Sequence, residues 1–217
     1  MKPYPSIPHA FQLSEITKGL TSSSKLYIFD KLDGSNIRVE WDKKQGFYKF
    51  GTRHQLLNPN DPVFGLIPNL FKETMAPQLE PILKEQKYDN ATCFFEYYGP
   101  NSFGGFHNDN DVKKLSLLDV SPYKVGILNP TDFMRIFGKL DLPALIWEGF
   151  YSPQLIKDMY YQVVNGELPG VTFEGIIGKV DSGSKVPPTM FKLKSQAWLD
   201  RLKTKCGNNT ILYEQLK

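Results

Sequence analysis

The sequence predicts an α+β protein with largely antiparallel sheets and helices at their flanks. Short runs rich in β-branched and aromatic residues recur along the chain, and turn residues separate them. Fewer segments carry the start and stop signals of helices. The 217 residues are 41% hydrophobic, and no linker rich in Gly, Ser or Pro divides them. We therefore expect one domain, residues 1–217, with a substantial core.

Eight segments have strand character. Residues 26–29 are apolar and aromatic, and residues 37–41 alternate apolar and polar side chains with period two. Residues 42–46 supply a turn before the next strand, at 47–50. The remaining strands are predicted over 93–98, 115–120, 145–150, 173–180 and 190–193.

Helices are predicted mainly from their capping residues. Ser152, followed by a proline, begins one helix and Gly166 ends it. A second helix is predicted over 195–206, with Ser195 as its N-cap and Gly207 behind it. Further helical pieces are predicted over 129–140 and over 64–87, where Pro68, Pro77 and Pro81 are expected to interrupt them.

Charge and composition limit the classes of function. The net charge is +3, and the basic excess lies in residues 179–217, which hold eight Lys/Arg against three Asp/Glu. That segment is either a solvated helix face or a surface for a polyanion. No apolar run spans a bilayer, the N-terminus lacks a signal peptide, and Cys93 and Cys206 cannot form a disulfide framework. We expect a soluble, cytoplasmic protein with no membrane partner.

Charged residues interrupt several apolar strands. Glu96, Glu174, Lys192 and Lys194 lie in such strands, and Lys31 lies between the first strand and an Asp-Gly turn. Taken singly, each could be an edge-strand charge, and Lys31 could be a solvated turn lysine. Buried charges are costly unless paired. Together they supply one nucleophile, two acids and two cations, as nucleotidyl transfer from a nucleoside triphosphate requires.

Five short motifs, in this order, resemble those of the covalent nucleotidyltransferases, namely RNA ligases, ATP-dependent DNA ligases and mRNA capping guanylyltransferases. The motifs are Lys31-Leu-Asp-Gly-Ser-Asn36, Phe95-Glu-Tyr-Tyr-Gly99, Leu118-Asp119-Val120, Glu174-Gly-Ile-Ile177 and Lys192-Leu-Lys194. The resemblance spans about residues 26–196. It implies a nucleotidyltransferase (ATP-grasp-like) core. We expect a single adenylyltransferase domain with no C-terminal OB-fold or other appended domain.

Single residues favour the RNA-ligase branch. DNA ligases and capping enzymes usually place an arginine five residues after the nucleophilic lysine, whereas Asn36 matches RNA ligases similar to the second phage RNA ligase and the kinetoplastid editing ligases. Arg53 matches an arginine that this group carries after its first hairpin. Asp30 departs from the glutamate common before the lysine. Leu118 departs from a phenylalanine that often stacks on adenine, which implies an apolar grip on the purine.

The resemblance implies an ATP-dependent RNA ligase that works through lysyl-AMP. Lys31 would attack the α-phosphorus of ATP, and AMP would pass to a 5′-phosphate end that a 3′-hydroxyl then seals. Lys192 and Lys194 would share in catalysis by stabilising charge on the α-phosphate. Glu174 would hold Mg²⁺, or Mn²⁺ in its place. The implied nucleotide contacts are Asp30, Asn36, Arg53, Glu96, Leu118, Asp119, Glu174, Lys192 and Lys194.

A lysine must lose its proton before it can attack. Its ordinary pKa is near ~10.4, and bringing that value to neutrality costs the charged form roughly 4 kcal/mol. Burial, Mg²⁺ and the two cations Lys192 and Lys194 push in this direction, whereas nearby carboxylates push against it.

Two other classes of function stay open at this point. One is a minimal ATP-dependent DNA ligase or a GTP-dependent capping enzyme, and the other is a non-catalytic protein that binds nucleic-acid ends. The expected partners are ATP and nucleic acid with 5′-phosphate and 3′-OH ends, RNA favoured, and a helper protein could assist substrate binding. His9, His54 and His107 show no metal-ligand spacing, so we assign them solvated or structural positions.

Overall fold

The computed structural model describes residues 2–10, 20–102, 107–183 and 186–217. The strands in these ranges are β1 (Lys25–Lys31), β2 (Gly34–Asp42), β3 (Gly46–Thr52), β4 (Asn90–Tyr98), β5 (Lys114–Pro122), β6 (Leu145–Phe150), β7 (Gly175–Val180) and β8 (Thr189–Lys194). The helices are α1 (Ile67–Thr74), α2 (Ala76–Glu85), α3 (Pro130–Phe137), α4 (Pro153–Asn165), α5 (Gln196–Cys206) and α6 (Thr210–Leu216). None of these helices combines the length and the hydropathy that crossing a bilayer takes.

The strands form two four-stranded sheets. The first has the order β6-β1-β7-β8 and the second the order β3-β2-β4-β5, and the neighbouring strands in both pair antiparallel. The predicted α+β fold with antiparallel sheets is confirmed. Because β1 and β2 belong to different sheets, the chain crosses between the sheets in the two residues Leu32 and Asp33. Lys31, the last residue of β1, therefore lies where the sheets meet.

The second sheet packs one face on helices α1, α2 and α3. Ile37, Val39 and Trp41 of β2 are buried there, as the period-two pattern predicts. Phe71 of α1 fills the middle of this core, with its ring centroid 5.4 Å from that of Phe95 in an edge-on arrangement. This packing fixes the position of β4 and of Glu96, which follows Phe95 directly.

The first sheet packs on α4. Leu26 and Ile28 of β1 share a core with Ile156 and Val163 of α4. The Ser152 hydroxyl caps this helix by accepting the Leu155 N–H at 3.1 Å, and Gly166 ends it in the left-handed conformation with φ 72°. Both predicted caps are confirmed.

The helix predictions were wrong in three places. Pro81 lies inside α2 and does not interrupt it. The carbonyl that loses its hydrogen bond belongs to Pro77, and both prolines are exposed, so water can serve that carbonyl. The helix predicted to reach residue 140 ends at Phe137. After α5 the chain forms α6, a helix that was not predicted, with Asn209 accepting the Leu212 N–H at 3.0 Å.

Candidate active site

A cavity of about 490 Å³ opens between the two sheets. Its volume suits a small-molecule ligand. Nine of the ten predicted site residues line it, namely Asp30, Lys31, Asn36, Arg53, Glu96, Leu118, Glu174, Lys192 and Lys194. The motifs that lie far apart in the sequence therefore meet in one place.

Glu174 joins two lysines at the base of the cavity. Its Oε2 lies 2.6 Å from Lys31 Nζ and its Oε1 lies 2.5 Å from Lys194 Nζ. The Glu174 side chain is only 6% exposed. Its backbone N–H donates to the Lys31 carbonyl at 3.2 Å, so the main chains are tied as well. Glu174 directly precedes β7, whereas the sequence placed it inside the strand.

The charges of this group decide its protonation. Burial lowers the pKa of Lys31, but the Glu174 and Glu96 carboxylates outweigh burial and hold that pKa above its usual value. Burial acts to raise the pKa of Glu174, but Lys31 and Lys194 outweigh it and hold that pKa below its usual value. Burial lowers the pKa of Lys194 to about 8, against the opposing pull of Glu174. Lys31 and Glu174 are therefore a charged pair near neutral pH.

Glu96 differs from Glu174. It lies on β4 opposite Asn36 of β2. Burial raises its pKa to about 8; Lys31 opposes that shift, and the charges of Glu174 and Asp33 add to it. Glu96 is thus a largely protonated carboxyl at neutral pH, able to donate a hydrogen bond.

Among the predicted site residues, two have a buried polar atom with no hydrogen-bond partner. These atoms are Arg53 Nε and Asn36 Oδ1. The Asn36 amide nitrogen donates to the Phe95 carbonyl at 3.4 Å, which leaves its oxygen as the unused group. Buried polar groups are normally satisfied, so both atoms are places where a ligand could supply the missing partner.

The two predicted aspartates are engaged by protein groups. Asp30 is 3% exposed, and its carboxylate accepts the N–H of Thr172 at 3.0 Å as well as the Thr172 hydroxyl. Asp119 is 1% exposed and lies outside the cavity lining, where the Tyr4 hydroxyl and Lys179 Nζ bind it, the latter at 2.8 Å. In this structure both carboxylates fix neighbouring segments, and a direct nucleotide contact by either of them stays a prediction.

Several groups of the cavity wall were not predicted from the sequence. Lys179 and Tyr4 line it, and Lys179 Nζ also donates to the Leu118 carbonyl at 2.8 Å. The alternation of β7 contained a signal for Lys179, because it follows Ile177 on the same face. On the opposite side, Lys194 Nζ donates to the Leu216 carbonyl of α6 at 2.8 Å. No local pattern indicated Tyr4 or α6.

The residues present fit a divalent cation that shares its ligands with phosphates. No group of three or more His, Cys, Asp or Glu in the described ranges is placed to hold a metal ion alone. Mg²⁺ is commonly held by one or two carboxylates plus substrate phosphates, with waters completing its octahedron. Glu174 is such a carboxylate beside Lys31, and the carboxyl of Glu96 lines the same cavity.

Comparison with known proteins gives a structural likeness. No protein-family model matches the chain, and no curated protein matches it. Among solved structures, a Naegleria gruberi RNA ligase mutant with ATP and Mn aligns with 92% of this chain at a TM-score of 0.67 and 13% identity. The same ligase with PPi aligns with 94% of this chain at a TM-score of 0.67 and 14% identity. This chain spans 58% of the length of those ligase chains.

The likeness establishes the fold. A TM-score of 0.67 over nine-tenths of the chain shows that this chain shares the fold of those RNA ligase structures, with its two four-stranded sheets. The predicted fold is confirmed.

Proposed function

We propose that the protein is an ATP-dependent RNA ligase that works through a covalent lysyl-AMP intermediate. One observation carries the proposal: Lys31 Nζ projects into the cavity between the sheets, in contact with Glu174 and beside Lys192 and Lys194. A partly buried lysine with further cations around it is suited to attack a phosphorus centre. The likeness to a ligase solved with ATP, and with AMP and Mn, supports ATP as the nucleotide.

The first chemical step depends on the proton of Lys31. Glu174 Oε2, at 2.6 Å, is the nearest acceptor for it, and the open cavity gives the proton a route to solvent. The neutral amine then forms a bond from Nζ to the α-phosphorus, while the bond from the α-phosphorus to the bridging oxygen of pyrophosphate breaks. Pyrophosphate leaves with that electron pair, Nζ loses its second proton to solvent, and AMP stays on Lys31 as a phosphoramidate.

The two lysines of β8 would bind the phosphates of the nucleotide. Lys192 and Lys194 lie two residues apart on one strand and both line the cavity, as the alternation of a strand predicts. Burial lowers the pKa of Lys192, and the nearby Lys31 charge adds to that effect. An anionic phosphate between these lysines would relieve their mutual repulsion, so its binding favours the charged state that stabilises the transition state.

Other residues have proposed binding roles. The unpartnered Arg53 Nε would donate to a phosphate oxygen, the unpartnered Asn36 Oδ1 would accept from a ligand hydroxyl, and Glu96 would donate to or accept from the ribose. Leu118 lines the cavity and would make an apolar contact with the purine. Glu174 and Glu96 would hold a divalent cation, Mg²⁺ or Mn²⁺, which when bound neutralises charge on the phosphates and carboxylates.

The nucleic-acid partner is proposed from chemistry. The lysyl-AMP would pass AMP to a 5′-phosphate end, and a 3′-hydroxyl would then displace AMP and seal the strand. We propose RNA as the favoured substrate because Asn36 stands where the other branches carry arginine. Substrate binding by the domain is expected to be weak and salt-sensitive, with a helper protein as a further proposed partner. Its cytoplasmic location stays a prediction.

The test is formation of a covalent adduct. The protein is incubated with ATP labelled at the α-phosphate and with Mg²⁺ or Mn²⁺, and bound label is measured after denaturation. We expect label on the wild type, none on Lys31→Ala, and normal labelling of Lys72→Ala, which removes an exposed lysine of α1. Labelling of Lys31→Ala would refute the assigned nucleophile.

A matched substrate panel separates the classes of enzyme. GTP in place of ATP tests for a capping enzyme, and nicked DNA beside nicked RNA tests for a DNA ligase. A pre-adenylated 5′ end tests the last step alone. We expect ATP and RNA to be preferred; binding of ends with no adduct under any condition would favour a non-catalytic protein.

A further inference from the structure

His107 lies against the turn that carries the proposed nucleophile. It belongs to the loop between β4 and β5 of the second sheet, and its side chain is only 3% exposed. Its Nε2 lies 3.3 Å from the carbonyl oxygen of Asp33, the residue that crosses between the sheets. Because a carbonyl only accepts, Nε2 must carry a proton for this contact to be a hydrogen bond.

The same ring also contacts the segment that carries Glu174. The centroid of the His107 ring lies 4.0 Å from that of Phe173, with 36° between the rings. Phe173 directly precedes Glu174, whose carboxylate binds Lys31 Nζ. One side chain from the second sheet thus touches both segments that determine where Lys31 Nζ lies.

Contacts within residues 107–112 fix the part of the loop that carries His107. Asp111 places its Oδ2 3.4 Å from His107 Nδ1, and the same oxygen accepts the Asn108 N–H at 2.9 Å. The Asp111 N–H donates back to the Asn108 carbonyl at 3.0 Å, which closes a tight turn. The end of the loop lies on Gly99, where φ is +127° and a Cβ would come within 2.8 Å of the Val112 carbonyl oxygen.

We propose that His107 is a positioning residue for lysine adenylylation, holding the Lys31–Asp33 turn and the Phe173–Glu174 segment in register across the cleft. The inference rests on the proposed function. Elsewhere the turn is tied to β7 on one side and to β4 on the other, through the pairs Lys31↔Gly175 and Gly34↔Tyr98. His107 contacts the turn between those two pairs, at the Asp33 carbonyl. Misplacement of a reacting atom by ~1 Å can cost about 100-fold in rate.

Two variants separate the parts of this contact. His107→Phe keeps a ring against Phe173 and loses the hydrogen bond to Asp33, whereas His107→Gln keeps an N–H donor near the position of Nε2 and loses the ring. At saturating ATP we expect the rate of adduct formation to fall about tenfold in His107→Phe and about threefold or less in His107→Gln. The KM for ATP should change less than about twofold in both, because His107 does not line the cavity.

Sealing of a pre-adenylated RNA end is the second readout. A merely structural role of His107 would lower the rates of adduct formation and of sealing alike. That step does not use Lys31 as a nucleophile, so His107→Phe should seal such ends at close to the wild-type rate. Asp109→Asn, an exposed change in the same loop, should leave both rates unchanged. Melting temperatures show whether each variant is folded, and the glutamine variant keeps the test usable if the phenylalanine variant is not.

The outcomes are distinct from those that test the proposed function. A wild-type protein that forms no adduct overturns the proposed function and this inference with it. Wild-type adduct formation with an unchanged His107→Phe rate overturns this inference alone. Equal losses in adenylylation and in sealing, or a glutamine variant no better than the phenylalanine variant, also overturn it.

Discussion

The carboxyl of Glu96 should make the stability of the protein fall as the pH rises. Its pKa is raised to about 8 in the folded protein by burial, whereas an unfolded glutamate titrates near about 4.3. Between these values the folded state binds more protons than the unfolded state, so the free energy of unfolding decreases with increasing pH. Integrated from about pH 5.5 to about pH 8.5, the loss is about 3 kcal/mol.

Glu96→Gln tests this, because the amide stays neutral at every pH. Urea unfolding curves are measured for both proteins at several pH values, without ATP or divalent cations. Titrations at sites not coupled to Glu96 cancel in the difference, so the wild type should lose about 3 kcal/mol more than Glu96→Gln across that range. Glu85→Gln, an exposed change at the end of α2, is the control and should parallel the wild type. Parallel curves for the wild type and Glu96→Gln would refute the reasoning.

Three further predictions follow from contacts already described. Lys194→Met removes a buried cation from the phosphate site and should slow adduct formation about 100-fold in single-turnover labelling; a loss below about threefold would contradict that role. Asp30→Ala leaves the two donors of Thr172 without their acceptor and should lower the free energy of unfolding in urea by about 2 kcal/mol. An unchanged free energy of unfolding would show that these two hydrogen bonds do not stabilise the fold. Gly175→Ala would bring a Cβ within 2.0 Å of a backbone oxygen and should lower the free energy of unfolding in urea by about 3 kcal/mol. Gly126→Ala, with open space around it, should lower it by only about 1 kcal/mol, and similar losses in the two variants would argue against the clash.

The strands could be predicted because one face of each sheet is buried. Ile37, Val39 and Trp41 alternate with less buried or polar neighbours, and the structure buries all three against helices. Helix α6 could not be predicted in this way. It has only seven residues and none of them is fully buried, so it has no amphipathic stripe to detect. Its contacts with α5, through Leu212 and Tyr213, are tertiary.

Some residues of the candidate site could be predicted from the sequence and others could not. Glu96 and Lys192 could be predicted because a charge within an apolar strand needs a physical reason. His107 and Tyr4 could not, because their partners lie 74 and 115 residues away and nothing near them in the sequence marks the contact. Asp30 shows a third case, since its position beside the nucleophile suggested a ligand contact, whereas its carboxylate binds Thr172.

The pairing of Lys31 with Glu174 bears on when the nucleophile becomes active. Burial alone would lower the pKa of Lys31, but the two nearby carboxylates reverse its effect and keep the ammonium charged. Glu174 is shared with Lys194 through a 2.5 Å contact, so any charge that draws Lys194 toward a phosphate changes the balance at Lys31. A protein that held Lys31 neutral at all times would leave Glu174 as a buried carboxylate paired only with Lys194. Under the proposed function, the lysine would therefore be activated on ligand binding, because a divalent cation that binds with the nucleotide would oppose the charge of Glu174.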